Sequence, residues 1–72
     1  MINAKDDDNL AEAVVIEIMP NTMFKVQYED GQEEIAYLAG KMRIHRIKVL
    51  MGDRVVVKRD PYGGKGRIVK RI

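Results

Sequence analysis

The stretch TMFKVQYEDGQEEIAYLAGKMR (Thr22–Arg43) decides the fold. In its first part Phe24, Val26 and Tyr28 alternate with Lys25, Gln27 and Glu29. Period two is the mark of a strand with one apolar face. Asp30-Gly31 follows, a hairpin signal because both turn positions accept a positive φ. The return segment QEEIAYLA (32–39) brings Ile35 and Tyr37 to one face. At Gly40 the alternation stops. GKMRIHRIKVL (40–50) is too short and too basic for a core helix, and reads as a one- to two-turn helix near 40–45 followed by an extended segment.

Upstream, AEAVVIEIM (11–19) places Val14, Ile16 and Ile18 on one face, and Pro20-Asn21 punctuates the chain before the hairpin. Three strands in a meander result. Downstream, Gly52-Asp53 is a turn, RVVVKR (54–59) is β-branched and strand-like, DPYGGKG (60–66) is a loop and GRIVKRI (66–72) is the last strand. Five short strands with a helical insert between the third and fourth predict an all-β fold, a five-stranded OB-type barrel. The predicted boundaries are a flexible acidic tail over 1–9 and a single OB domain over 10–72. The 72 residues leave no room for a second domain. A chain of this size buries only about 60% of its unfolded surface.

Charge is sorted along the chain. Residues 1–39 carry two basic and nine acidic side chains, net −7, whereas residues 40–72 carry eleven basic and two acidic ones, net +9. The formal total of +2 therefore hides a strong dipole. One half should attract a polyanion and the other repel it, which favours docking on nucleic acid in one orientation. The Asp6-Asp7-Asp8 run reads as part of a solvated tail, or more sharply as a guard against non-specific RNA.

Other chemistries find little support. Cysteine is absent, so neither a disulfide nor a thiolate metal site is available, which fits a reducing compartment. No apolar run approaches the roughly 18 residues of a membrane span, and MINAKDDDNL lacks the hydrophobic stretch of a signal peptide. His45 is the only histidine and stands between Arg43 and Arg46 without a second acid or base. Glu33 and Glu34 are adjacent on a strand and so point to opposite faces. The Asp run lacks the Gly and terminal Glu of an EF-hand loop. DPYGGKG lacks the Walker spacing, and a strand rather than a helix follows it. The expectation is a non-enzyme without metal or cofactor. The methionines beside turns (Met19, Met23, Met42, Met51) read as core or rim packing.

The basic residues carry the functional signal. Lys41, Arg43, Arg46 and Lys48 form one cluster, and Lys58, Arg59, Lys65, Arg67, Lys70 and Arg71 form another. In a five-stranded barrel the last strand can approach the link before strand four, so the clusters can merge into one stripe. On the last strand, period two puts Arg67 and Arg71 on one face with Val69 and sends Lys70 the other way. Arginine suits phosphate through its bidentate fork and also stacks on bases. Among the aromatics, Phe24 and Tyr28 share a face with Val26 and read as core, Tyr37 fits either role, and Tyr62 in its polar loop is the best candidate for an exposed stacking ring.

These segments resemble bacterial-type translation initiation factor one, of the S1-like OB-fold family. The resemblance rests on P-N-T-M-F at Pro20–Phe24, G-K-M-R at Gly40–Arg43, G-D at Gly52-Asp53, P-Y at Pro61-Tyr62 and K-G-R-I-V at Lys65–Val69. Their order and spacing match from about residue 9 to residue 71, and the length suits one OB domain without the extensions of the eukaryotic and archaeal relatives. The resemblance implies an rRNA-binding factor of protein biosynthesis. It would sit at the A site of the small ribosomal subunit, contact the 16S-type rRNA and a neighbouring ribosomal protein, and block elongator tRNA. It would cooperate with the other two bacterial initiation factors, and would be monomeric when free, cytoplasmic or in a plastid stroma. The residues implied are Lys41, Arg43, Lys48, Lys65 and Arg67, to which charge and exposure add Arg46, Tyr62, Lys70 and Arg71. The alternative is a general single-stranded-RNA binder or RNA chaperone of cold-shock type. The chain departs from the family in a shorter GGKG loop after Tyr62 and in Ile44-His45-Arg46, where a more polar stretch is expected.

Overall fold

A computed structural model describes residues 9–72. The acidic run Asp6–Asp8 lies outside the described residues. Among the described residues there are five strands, β1 (Leu10–Met19), β2 (Met23–Tyr28), β3 (Glu33–Leu38), β4 (Arg54–Lys58) and β5 (Gly66–Arg71), with a short helix α1 (Gly40–Ile44) between β3 and β4. They close into a barrel of order β1-β2-β3-β5-β4. Every pairing is antiparallel except the parallel β3–β5 contact that completes the closure. Closure leaves no unpaired sheet edge. The architecture is the predicted five-stranded OB barrel, with the helix where the sequence put it.

The hairpin behaves as its pattern dictates on β2, where Phe24, Val26 and Tyr28 all point into the core. The turns differ from expectation. At Asp30-Gly31 only Gly31 has a positive φ (91°), and Tyr28 N–H donates to the Gln32 carbonyl at 2.8 Å. This is a three-residue loop with glycine in the left-handed position, not a two-residue turn. The two-residue turn with both central residues at positive φ occurs instead at Asn21 (63°) and Thr22 (56°), where Met23 N–H reaches the Pro20 carbonyl at 3.3 Å.

β1 corrects a second expectation. Val14 and Ile18 are exposed, and the core face of this strand is Ala13 and Val15. The run Val14-Val15-Ile16 is apolar on both faces, so alternation alone could not choose. The register of β1 against β2 also slips between Val15 and Glu17, and a bulge of this kind swings the following residues to a new orientation. On β3 the core residues are Ala36 and Leu38, while Ile35 and Tyr37 turn outward. The core is completed by Val55, Val57, Ile68, Val49 and Met42. Met42, only 1% exposed, anchors α1 to the barrel.

Candidate nucleic-acid interface

α1 owes its position to its two ends. Its N-cap Ala39 donates its N–H to the Ile68 carbonyl of β5 at 2.9 Å, fixing the helix start beside the last strand. At the C-terminus Ile47 N–H donates to the Met42 carbonyl (3.0 Å) and Arg46 N–H to the Arg43 carbonyl (3.1 Å). Those two bonds are the Schellman pattern, whose left-handed position is normally glycine. Here it is Arg46, at φ 53°. A side chain in that region costs roughly 1–2 kcal/mol, so a strained cation closes the helix. With Met42 inward, Lys41 and Arg43 remain exposed, and the Arg43 guanidinium donates to the Thr22 hydroxyl in the strained β1–β2 turn at 3.4 Å.

The two basic clusters do meet. Arg71 Nη1 donates to the Lys48 carbonyl at 2.8 Å, and the same nitrogen lies 4.0 Å from the Asp53 carboxylate. Asp53 in turn accepts from Leu50 N–H at 2.8 Å, which shapes the turn before β4. The end of β5 therefore pins the 45–53 link to the barrel. Lys41, Arg43, Arg46 and Lys48 lie along α1 and that link, exposed.

β5 itself departs from simple alternation. Val57 pairs with Ile68 but Val56 pairs with Lys70, so Val69 is the extra residue of a bulge. The expected shared face of Arg67, Val69 and Arg71 is thereby broken. Arg67 stands opposite Lys58 and Lys70 opposite the outward Val56, whereas Arg71 falls opposite the fully buried Val55 at the barrel end, within reach of Lys48. Arg71 serves partly as a staple. Tyr62 and Lys65 lie on the β4–β5 loop, Tyr62 with 94% of its surface exposed. That loop is shaped by Asp60, whose carboxylate accepts from Tyr62 N–H at 2.9 Å.

Sequence reasoning left out the support beneath this loop. Tyr28 O–H donates to Glu34 at 2.6 Å, and the Arg59 guanidinium lies 4.3 Å from the centre of the Tyr28 ring. Arg59 also pairs with Glu34 (3.8 Å) and donates to the Gln32 side chain (3.3 Å). Burial, then the hydrogen bond to Glu34 and its negative charge, push the Tyr28 phenol far above its ordinary value near 10, against the opposing pull of Arg59. This cluster ties the β2–β3 tip to the root of the β4–β5 loop. It also brings an acidic residue of the first half, Glu34, against a basic residue of the second, Arg59. Only the three-dimensional pairing of β3 with β5 reveals it. His45 caps α1 and is exposed, and among the described residues no group of His, Cys, Asp or Glu could hold a metal ion.

The solution structure of translation initiation factor one from a Wolbachia endosymbiont (strain TRS) of Brugia malayi is similar to this chain, with a TM-score of 0.72 and 31% identity over 100% of this chain and 88% of that one. The crystal structure of YjeQ from Thermotoga maritima has a TM-score of 0.74 and 28% identity over 88% of this chain, which spans only 22% of that protein. A family model described as translation initiation factor 1A / IF-1 matches residues 2–72. With the five-stranded barrel, the helix after β3 and a match along nearly the whole chain, this protein belongs to the translation initiation factor 1A / IF-1 family.

Proposed function

We propose that the protein binds the small ribosomal subunit at its A site through 16S-type rRNA, and there blocks elongator tRNA and assists the other two bacterial initiation factors. It acts by steric occupation and not by catalysis, as a monomer, in the cytoplasm or a plastid stroma. The observation that carries this reading is the Arg71–Lys48 staple, which holds the basic link against the basic last strand. Lys41, Arg43, Arg46 and Lys48 then form one side of the rRNA-binding surface, Lys65, Arg67 and Lys70 the other, and Tyr62 offers a ring for stacking at the loop tip. The rRNA supplies specificity through its folded shape and the bases it leaves unstacked.

Neutralising about five phosphates predicts a log–log salt slope between roughly −3.5 and −4.5. The test is binding of labelled protein to isolated small subunits at two salt concentrations, with unstructured RNA as competitor. Saturable one-to-one binding that is salt-sensitive and resists the competitor is expected. Equal loss to any RNA would favour the general single-strand binder of cold-shock type. Arg43→Glu is expected to weaken subunit binding at least tenfold with the fold intact, and binding within twofold of wild type removes Arg43 from the interface.

A further inference from the structure

Four of the nine large apolar side chains exposed among the described residues fall within residues 44–51. They are Ile44 (78% exposed), Ile47, Leu50 and Met51 (64%). Apolar residues scattered singly over a surface need no explanation, but a run of them does. The core does not use these four. Met42 and Val49 are buried and make the core contacts of α1 and of the link after it. Ile47 N–H donates to the Met42 carbonyl and the Arg71 side chain donates to the Lys48 carbonyl. Asp53 N–H donates to the Leu50 carbonyl at 3.1 Å, and Gly52 N–H to the Val15 carbonyl of β1 at 2.8 Å. Hydrogen bonds to the backbone therefore fix the segment while its aliphatic side chains stay outside. Ile44 also stands in the Ile44-His45-Arg46 stretch, where the chain departs from a more polar sequence.

Cations are interleaved with these aliphatics. Lys41, Arg43, Arg46 and Lys48 are exposed, and no acidic residue occurs from Gly40 to Gly52. None of the four is in an ion pair among the described residues, and the Arg43 guanidinium meets a neutral group, the Thr22 hydroxyl.

We propose that residues 41–51 form a peripheral contact for an anionic lipid bilayer. Ile44, Ile47, Leu50 and Met51 enter the boundary between headgroups and acyl chains, and the four cations lie among anionic headgroups. Charge complementarity selects an anionic occupant, and the interleaving selects a bilayer. RNA phosphates would satisfy the cations but leave the aliphatics against a charged, hydrated backbone. A folded protein would have to set an acidic group against each cation and an apolar group against each aliphatic, in one fixed register. A bilayer interface supplies both chemistries at two depths without a register. The long Lys and Arg stems let the charges stay at headgroup level while the aliphatics sink. Each cation close to an anionic leaflet contributes about fivefold in affinity. The contact shares cations with the proposed rRNA surface but does not rest on that reading.

The experiment is flotation of the isolated protein with vesicles of phosphatidylcholine alone, and of phosphatidylcholine mixed with phosphatidylglycerol, at low and at physiological salt. Saturable binding to the mixed vesicles alone, weakened by salt, is expected. Ile44→Ser combined with Met51→Ser should weaken it about tenfold, the scale of withdrawing two partly inserted aliphatic side chains, and should leave the salt dependence unchanged. Ile44→Leu should bind within twofold of wild type. Ile72→Ser, at an exposed aliphatic outside the segment, should do the same. Lys48→Ala should cost about fivefold. Absence of binding to the mixed vesicles would overturn the proposal and leave the aliphatics to a protein partner. A double Ser variant within twofold of wild type would overturn it as well, because charge alone would then hold the protein. Equal weakening by Ile72→Ser would overturn it by showing adsorption without a site. If the double variant fails to fold by circular dichroism, Ile44→Ser alone and the two vesicle compositions still decide. Vesicle binding through Ile44 by a protein that ignores small subunits would refute the ribosomal reading and leave this one standing.

Discussion

Gly66→Ala would test the packing that closes the barrel. Gly66 is the first residue of β5, buried, and it faces Ala36 across the parallel β3–β5 contact. Its backbone is not left-handed, so the reason for glycine is space. A Cβ there would lie 2.6 Å from Val57 Cγ1 and 2.8 Å from Glu34 Oε1. Val57 is fully buried and cannot withdraw without disturbing the core. Glu34 Oε1 is the atom that accepts the Tyr28 hydroxyl, so moving it breaks that bond. Overpacking of this kind costs about 1–3 kcal/mol, and losing a hydrogen bond to a charged acceptor about 1.5 kcal/mol. Against this, alanine stiffens the unfolded chain by about 0.4–1 kcal/mol. The net is a loss of about 3 kcal/mol, from a total of roughly 4–11 kcal/mol for a chain of this length. In a domain this small, that lowers Tm by roughly 12–24 °C. Thermal unfolding by circular dichroism measures it, with Gly40→Ala as the comparison, because nothing lies within 4 Å of a Cβ at Gly40. Gly40→Ala should be neutral or stabilising by up to about 1 kcal/mol. A Gly66→Ala protein melting within about 3 °C of wild type, well short of the expected shift, would refute the steric argument.

Three further outcomes are expected. The raised phenol of Tyr28 contributes its stability in full below about pH 10. As pH climbs past that point the unfolded chain loses the proton while the folded one keeps it, so stability declines. Tyr28→Phe should cost about 1 kcal/mol at neutral pH and show a flatter stability profile than wild type above about pH 10 in urea melts, and parallel profiles would contradict the assignment. Arg46→Gly should move two properties in opposite directions. It relieves the left-handed strain and raises stability by about 0.5–1 kcal/mol once unfolded-state entropy is deducted, while weakening subunit binding and lowering the salt slope by about one. A destabilised Arg46→Gly protein would show that the conformation carries no strain. Asp53→Ala removes the acceptor for Leu50 N–H and a partner of Arg71, and should lower the urea midpoint by the equivalent of about 1 kcal/mol. An unchanged midpoint would mean that the turn before β4 holds its shape without it.

The sequence by itself determined the element order, because each signal was local. Period two in residues 22–28, the end of alternation at Gly40 and the glycine-rich break at 60–66 each report backbone preferences within a few residues. The basic character of the link and the last strand, and the exposed Tyr62, were legible for the same reason. Tertiary structure decided everything that depends on which strand lies beside which. The apolar run Val14-Val15-Ile16 offers either face to a core, and its orientation followed only from pairing β1 with both β2 and β4 across a register slip. The bulge at Val69 sent Arg71 to the Lys48 carbonyl and left Arg67 opposite Lys58, a separation of faces that period two on β5 alone misassigned. The parallel β3–β5 contact put Tyr37 beside Arg67, and Glu34 beneath the loop that Arg59 begins. Periodicity reports the direction of a side chain relative to its own strand. Closing the barrel sets its neighbours, and the chemistry of this surface depends on neighbours.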